Sequence, residues 1–433
     1  MDRRLMNIIL LGIGFMFVFT SYMTVSNIEK TVLKSIEKED PSFTGDGYTS
    51  QCIIYGVFAL CNWLAPTIIG IIGSRKSIYL GSICYVLFLM PFFLSSTFLL
   101  YTMSALLGFG ASLIWTGQGI YLTLNSDSST ISRNSGIFWA MSKMSICIGN
   151  VFMILVFCDQ TEFNKFTRIL IFTVMAVVCS FGTLILMVLR PPVDAEGKKN
   201  EVNLWKSNSM NPKQKIKGSV RLLMTKHMLM LSILFLFTGL TISFNNSVYS
   251  SSIAFTKSIS TNSKQLIGYT ALVGGVGEVI GSLLCSILGK KSSRSSSKFS
   301  GLSRSTMIII SFFINIVAYG LIFVNLPNDS PFGDTYTKSI IKPNQYLAIF
   351  CGFLLGLGGS GFNTQIYNVI GTKYSSNVVS TVSLFMFMQS TSAAISFFYS
   401  NQFGIYVQLI ILTIVMTIGT LSYIVVDKSV SIK

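Results

Sequence analysis

The sequence predicts an all-helical protein that crosses a membrane about twelve times. Hydrophobic residues make up 51% of the 433 residues and charged residues only 11%, whereas soluble proteins carry about a quarter charged residues. The apolar residues form continuous runs long enough to cross hydrocarbon, which takes about 20 residues in a helix. The runs lack the alternating pattern of barrel strands. The chain is therefore predicted to be an integral, multi-pass α-helical membrane protein.

Six predicted spans precede a long polar segment and six follow it. Apart from Arg168 at the edge of the sixth span, only Lys143 and Glu278 place a charged side chain inside these spans. An enzyme is not predicted, because no catalytic side chains are paired within reach of one another. The predicted spans cover residues 5–26, 51–72, 77–95, 97–124, 135–157, 167–189, 228–249, 266–289, 305–326, 346–370, 378–400 and 404–426.

The polar segment between the two groups of spans is too basic to enter hydrocarbon. Arg190, Pro191 and Pro192 end the sixth span, because proline cannot continue a helix. Eight lysines and arginines then follow, the last of them Lys226. The sequence therefore predicts two halves, 1–189 and 228–433, joined by a basic linker at 190–227.

The distribution of lysine and arginine predicts the orientation in the membrane. An even number of spans puts both termini on one side, and most basic residues fall on that side. Lys30, Lys34 and Lys38, between the first two spans, oppose this pattern. The formal charge of +16 is interpreted as loops facing anionic lipid rather than nucleic acid. The termini and linker are predicted to be cytosolic, in the plasma membrane or an endomembrane, and Asn328 begins a glycosylation sequon on the other side.

Each half contains a similar glycine-rich string. Gly108-Phe-Gly-Ala-Ser112 in the fourth span resembles Gly356-Leu-Gly-Gly-Ser360 in the tenth. With six spans per half, such repeats have the same orientation, as in one large class of transporters. The second string also fits a dinucleotide-binding motif, but no strand precedes it. Its glycines are therefore interpreted as helix-packing residues.

Uncharged polar side chains within the spans are candidate cavity residues. Each one alone is explained by a helix–helix hydrogen bond worth under about 2 kcal/mol, but their concentration in the fourth, seventh and tenth spans favours a shared role. Eight cysteines without a CxxC pair are interpreted as small, buried apolar side chains rather than a disulfide framework or a metal site, and no cofactor is expected. The candidate cavity residues are Gln118, Asn245, Asn246, Asn363, Gln365 and Asn368.

Eight strings along the chain resemble those of one family. They are Gly47–Ser50, Ile53–Phe58, Asn125–Asp127, Arg133–Ala140, Gly277–Glu278, Phe353–Gly358, Phe362–Gln365 and Phe397–Asn401. Their wording and order resemble the uncoordinated-93-like family of the major facilitator superfamily. The resemblance implies a twelve-helix facilitator fold with a central cavity lined by the first, fourth, seventh and tenth spans. It places the candidate cavity residues on three of those four spans.

Two functions are compatible with this resemblance. In the first, the protein is a solute carrier that works by alternating access on a small-molecule or ion substrate. In the second, it has the same fold but acts as a non-transporting regulator or trafficking escort for ion channels or receptors. Transport predicts a continuous polar cavity, whereas the second function predicts a filled interior and a polar or basic partner surface.

Lys143 and Glu278 are predicted to form a charge pair between the halves. They lie roughly 12 Å and roughly 16 Å from the predicted cytosolic ends of the fifth and eighth spans, at 1.5 Å per residue. The resemblance implies that these spans face each other, and a charge inside the membrane usually has a partner. In the alternative, Glu278 is protonated within its own half and Lys143 extends to the interface.

Overall fold

The structure is a computed structural model that describes residues 3–126, 130–157, 164–191, 218, 220–260, 262–288, 302–374 and 378–429. Within these ranges the regular structure is helical, apart from an isolated bridge between Thr256 and Thr335. The described part contains eleven helical segments that are long and apolar enough to cross a membrane, and one bent pair of helices makes a twelfth candidate span. The predicted all-α class and the number of spans are confirmed. Most of the predicted linker, residues 192–217, lies outside the described residues.

Fifteen helices can be numbered in chain order within the described ranges. The second span consists of two helices that meet at an angle of 68°, and the seventh contains a π-helical turn at Phe244–Val248 between two α-helices. The helices are α1 Arg3–Glu39, α2 Gly47–Cys61, α3 Ala65–Ile72, α4 Ser74–Leu87, α5 Pro91–Leu94, α6 Thr97–Leu124, α7 Ile131–Val156, α8 Lys165–Met187, α9 Lys226–Ser243, α10 Tyr249–Phe255, α11 Ser263–Leu288, α12 Arg304–Asn325, α13 Gln345–Lys373, α14 Val378–Ser400 and α15 Ile405–Ser429.

These helices form two compact units, α1 to α8 and α9 to α15. In the first unit, α1 packs against α7 and α8, α6 packs against α2 and α4, and α4 packs against α8. In the second unit the equivalent helices pair in the same way. There, α9 packs against α14 and α15, α13 packs against α11 and α12, and α12 packs against α15. The identical pairing confirms two parallel six-helix repeats.

The two glycine-rich strings make equivalent contacts within their own units. A Cβ atom added to Gly108 would lie 2.5 Å from the backbone oxygen of Ile54 in α2, and one added to Gly356 would lie 2.0 Å from that of Gly274 in α11. The next glycine in each string meets the third span of its own half, where an added Cβ would meet Cys84 from Gly110 and Asn315 from Gly358. These glycines therefore allow close helix packing, as the sequence predicted.

The first helix is 37 residues long and ends at Glu39, not at residue 26 as predicted. Ile28, Val32, Leu33 and Ile36 continue its buried face, so packing extends the helix although charged residues lower its hydropathy. At 1.5 Å per residue α1 is about 55 Å long, which exceeds the hydrocarbon thickness of about 30 Å. The three lysines that the sequence placed in a loop lie on this helix.

The cysteines occupy more varied environments than the sequence predicted. Cys158 lies outside the described residues. The other seven are free thiols, of which three are buried and four are only half-buried. The prediction that all eight are buried apolar side chains is therefore wrong for the half-buried four.

Candidate functional site: a buried carboxyl cluster on the first helix

A cluster of buried polar side chains lies where α1 packs against the first turns of α2. Glu29 and Gln51 are both 0% exposed. Gln51 Nε2 donates a hydrogen bond to Glu29 Oε2, and the Tyr22 hydroxyl donates one to Gln51 Oε1 over 3.3 Å. Glu29 Oε1 has no hydrogen-bond partner among the described residues. We refer to Tyr22, Glu29 and Gln51 as the Glu29 cluster.

An ion pair lies next to this cluster. Lys30, which is 6% exposed, pairs with Asp46, and its ammonium group also lies 4.5 Å from the centre of the Tyr48 ring. Asp46 is the N-cap of α2, where its Oδ1 accepts a hydrogen bond from the Thr49 backbone N–H over 2.8 Å. One carboxylate therefore holds the buried lysine and the start of the helix that carries Gln51.

The site is built on rigid elements that pack closely. A Cβ atom on Gly47 would lie 2.7 Å from the backbone of Lys30, so glycine lets α2 begin directly against α1. The Ser50 and Ser104 hydroxyl oxygens lie 2.8 Å apart and connect α2 to α6. Three helices of one unit thus fix the position of the Glu29 cluster.

A cavity of about 220 Å³ adjoins the Lys30–Asp46 ion pair. Lys34 is also in its wall and pairs with Glu37 over 2.7 Å, so the two basic groups each have an acidic partner. The cavity therefore combines both signs of charge at one end of the unit. Its lining residues are Lys30, Leu33, Lys34, Glu37, Thr44, Gly45, Asp46 and Gly47.

The Glu29 cluster was missed by the sequence analysis. The prediction that only Lys143 and Glu278 are charged residues in the interior of the spans is wrong, because α1 continues past residue 26 and carries Glu29 and Lys30. The signal that could have revealed the longer helix is the continued helical spacing of apolar residues to Ile36. Nothing in that spacing identifies the partner on α2.

The predicted cavity residues of the fourth and tenth spans have different environments. Gln118 on α6 is buried. Gln365 on α13 is 0% exposed, and its Nε2 lies 3.4 Å from Met307 Sδ on α12. Asn368 is exposed and lies one turn away, with its Nδ2 3.4 Å from Gln365 Oε1, while half-buried Asn363 donates to the backbone of its own helix. A shared role in lining a cavity stays a prediction for these residues.

The two predicted asparagines of the seventh span lie in its π turn. Asn245 and Asn246 are half-buried within Phe244–Val248. The Oδ1 atom of Asn245 is buried without a hydrogen-bond partner among the described residues, and so is the hydroxyl of Ser247. Single π turns inside α-helices frequently occur at functional sites. The first and seventh spans, which are equivalent in the repeat, thus both contain a buried polar oxygen without a described partner.

The remaining predicted residues lie on other elements. Lys143 on α7 and Glu278 on α11 are both half-buried, and their pairing stays a prediction. Asn328 is exposed, and its Oδ1 accepts a hydrogen bond from the Tyr406 backbone N–H over 3.1 Å at the start of α15. Ser330, the third residue of the sequon, is 0% exposed. Glycosylation at Asn328 also stays a prediction.

Sequence comparison identifies full-length relatives. The family model described as "Ion channel regulatory protein UNC-93" matches residues 42–424. The chain is 35% identical over 439 residues to UNC93-like protein MFSD11 of Xenopus tropicalis, with 98% of this chain and 96% of the relative covered. It is also 28% identical to UNC93-like protein 3 of Arabidopsis thaliana over 94% of this chain and 82% of that protein.

Structure comparison finds solved transporters of the same fold. The nucleoside transporter NupG superposes with a TM-score of 0.66 at 12% identity, covering 98% of this chain and 100% of that one. The peptide transporter POT in complex with sulfate superposes with a TM-score of 0.64 at 11% identity, covering 97% and 93%. These likenesses establish the fold alone, which is that of major facilitator transporters. With the match of the family model and the full-length relatives, the chain belongs to the UNC-93 family.

Proposed function

We propose that the protein is a membrane solute carrier of the major facilitator type that works by alternating access. In carriers of this type, two repeats move relative to one another during transport. The observation that carries the proposal is the Glu29 cluster, in which a fully buried carboxyl has an oxygen without a described partner.

The stability of the fold does not account for this carboxyl. An ionised carboxylate that is removed from water without a counterion is strongly unfavourable. Glu29 Oε2 accepts one hydrogen bond from the Gln51 amide, whereas the ion pairs nearby join Lys30 to Asp46 and Lys34 to Glu37. Because well-packed apolar residues often stabilise a protein as much as buried charges do, a role in binding explains Glu29 better than a role in folding.

The seventh span supports the same proposal. Its π turn displaces the helical register where Asn245 carries a buried oxygen without a described partner. Irregular helical turns in transporters are found where backbone and polar groups bind substrate or ions. The two equivalent spans of the repeat thus each offer a polar group to a solute.

The substrate is proposed to be a small polar molecule or an ion. The solved proteins that share the fold are named as nucleoside and peptide transporters. Both are carriers of polar solutes, and the Glu29 cluster offers a carboxyl, an amide and a hydroxyl to such a solute. The proposal therefore extends to the class of substrate and not to one compound.

The test is uptake by the purified full-length protein in liposomes. Liposomes are incubated with a metabolite extract, and the solutes retained are compared with those in protein-free liposomes by mass spectrometry. Wild type and the control Asp40→Asn, which changes an exposed carboxyl just beyond the same helix and outside the cavity wall, are expected to retain at least one solute. Glu29→Ala is expected to lower its uptake at least about tenfold, equivalent to about 1.4 kcal/mol.

Two results would contradict the proposal. If folded wild-type protein retains no solute above the protein-free liposomes, the regulator or escort function is favoured, and partner proteins should then be sought by co-purification. If Glu29→Ala transports as well as Asp40→Asn, the Glu29 cluster is not part of the binding machinery.

A further inference from the structure

We infer that Glu29 is a proton-binding site that takes up and releases a proton during the working cycle of the protein. The role in the cycle rests on the proposed carrier function, whereas the binding of the proton does not. The only chemical step is a proton transfer. The O–H bond of the carboxylic acid breaks, the proton passes to water and forms hydronium, and the carboxylate remains on Glu29.

The first argument is that a proton neutralises Glu29 where no described cation does so. Its carboxyl is fully buried, and its hydrogen-bond donors, the Gln51 amide and the Ser50 hydroxyl, are both neutral. The ammonium group of Lys30 is next in sequence, but it is engaged by Asp46. Since an uncompensated buried charge is unfavourable, the arrangement is that of a neutral carboxylic acid.

The second argument is that the cluster leaves one oxygen for the proton. Gln51 presents its Nε2 to Glu29 Oε2, while its Oε1 accepts from the Tyr22 hydroxyl. The amide is therefore oriented as a donor toward the carboxyl. Glu29 Oε1, which lacks a described partner, is the atom that carries the proton in this arrangement.

Other titratable groups near the carboxyl are acids or phenols. Asp46 lies at the start of α2 and is the nearest acidic neighbour, and its charge is shared with Lys30 and the N-terminus of α2. Tyr22 on α1 and Tyr101 on α6 are the nearest phenols. The phenols are neutral, so of these groups only Asp46 is negative, and a negative neighbour disfavours ionisation of Glu29.

No described cation of helix α7 lies at the level of Glu29 along α1. A Cβ on Gly149 would lie 2.0 Å from Thr24 Oγ1, which fixes the register of the two helices. Lys143 lies six residues before Gly149, and Glu29 lies five residues after Thr24. Their positions along the helix axes therefore differ by eleven residues, or about 16 Å.

Helix α8 likewise has its titratable groups at other levels. The Cys179 thiol lies beside the Ser21 hydroxyl. Ser21 is eight residues before Glu29, which is about 12 Å along α1. Arg168 Nη2 pairs with Glu39 Oε2 over 2.9 Å, about 15 Å away in the other direction. The described cations of α8 near α1 therefore do not replace the proton.

The cavity beside the ion pair offers the route for the proton. Lys30 and Asp46 are in the wall of the 220 Å³ cavity, and Gln51 lies five residues beyond Asp46, about 7.5 Å along α2. When the ion pair opens, water from this cavity reaches the carboxyl and receives its proton. When the ion pair closes, Glu29 is again protonated and shielded.

Infrared spectroscopy tests the proton site directly on the purified full-length protein. A protonated carboxyl has a C=O stretching band above the amide I band, and exposed carboxyls, whose pKa is about 4, are ionised at neutral pH. Wild type and Asp40→Asn are expected to show this band at neutral pH and to lose it at alkaline pH. Glu29→Gln is expected to lack it, and Glu29→Asp to recover it in part.

The melting temperature of Glu29→Gln shows whether this variant is folded and whether a neutral side chain is tolerated at position 29. Glutamine is a neutral isostere of the protonated acid, so Glu29→Gln is expected to melt at the wild-type temperature at neutral pH. A large fall in melting temperature, a band that persists in Glu29→Gln, or a wild type without the band would each overturn the proton site.

Transport under an imposed pH gradient tests its role in the cycle. With a solute identified as above, wild-type uptake is expected to depend on the gradient, and uptake by Glu29→Gln is expected to be independent of it. Transport by wild type without any response to the gradient would overturn the coupling. If the band is present but no solute moves, the proposed carrier function fails and the proton site stands.

Discussion

Replacing Gly356 by alanine is expected to push α11 and α13 apart. A Cβ at this position would lie 2.0 Å from the oxygen and 2.9 Å from the carbon of the Gly274 carbonyl, and 3.0 Å from the backbone nitrogen of Glu278. These are backbone atoms, which cannot rotate away as a flexible side chain would. Because ordinary contact begins at 3.4 Å, the two helices must separate locally by the difference, about 1.4 Å.

The expected size follows from two opposing effects. Forcing extra atoms into a packed contact typically costs about 1–3 kcal/mol, while alanine is favoured over glycine in a helix by about 1 kcal/mol. Gly359 lies on the same helix and would have nothing within 4 Å of an added Cβ. Gly359→Ala is therefore expected to stabilise, Gly356→Ala to be neutral or to destabilise by up to about 2 kcal/mol, and the two to differ by the packing effect of about 1–3 kcal/mol.

The measurement is the melting temperature of each purified variant in the same detergent. The repeat provides a second comparison, because an added Cβ on Gly108 would lie 2.5 Å from Ile54 O and one on Gly119 would have nothing within 4 Å. Gly108→Ala is expected to melt below Gly119→Ala in the same way. If Gly356→Ala is as stable as Gly359→Ala, and Gly108→Ala as stable as Gly119→Ala, the glycines do not set the helix spacing.

Three further predictions concern topology, charge and modification. With the linker in the cytosol, a Ser207→Cys variant at the cell surface is expected to react with an impermeant thiol reagent only after permeabilisation; rapid labelling of intact cells would reverse the topology. If Lys143 and Glu278 pair, Lys143→Met alone is expected to lower the melting temperature more than Lys143→Met with Glu278→Gln, since the single change leaves Glu278 without its cation; equal losses would dismiss the pair. Glycosylation at Asn328 is expected to add mass that a glycosidase removes. Ser330→Ala is expected to lack this mass while it keeps the Asn328 cap of α15; identical gel mobility of wild type and Ser330→Ala would show that the sequon is unused.

The fold class could be predicted because it depends on local sequence. A helix that crosses hydrocarbon must satisfy its backbone internally and present about 20 apolar residues to lipid, so each span leaves its own signal in the chain. The glycine strings at Gly108 and Gly356 made the internal repeat predictable for a similar reason. Where two helix backbones approach closely, few residues other than glycine fit. Their contacts with α2 and α11 confirm that these glycines allow close helix packing.

The Glu29 cluster could not be predicted, because it depends on contacts between separate helices. Hydropathy falls after residue 26, yet burial of Ile28, Val32 and Ile36 extends α1 to Glu39. Glu29 becomes a buried carboxyl only because α2 begins against it and brings Gln51 into reach. By itself the sequence determined a twelve-span protein with two repeated halves, since lipid imposes that pattern on each span separately. The tertiary structure decided which polar side chains lose contact with water, because burial is a property of packed neighbours and not of any single segment.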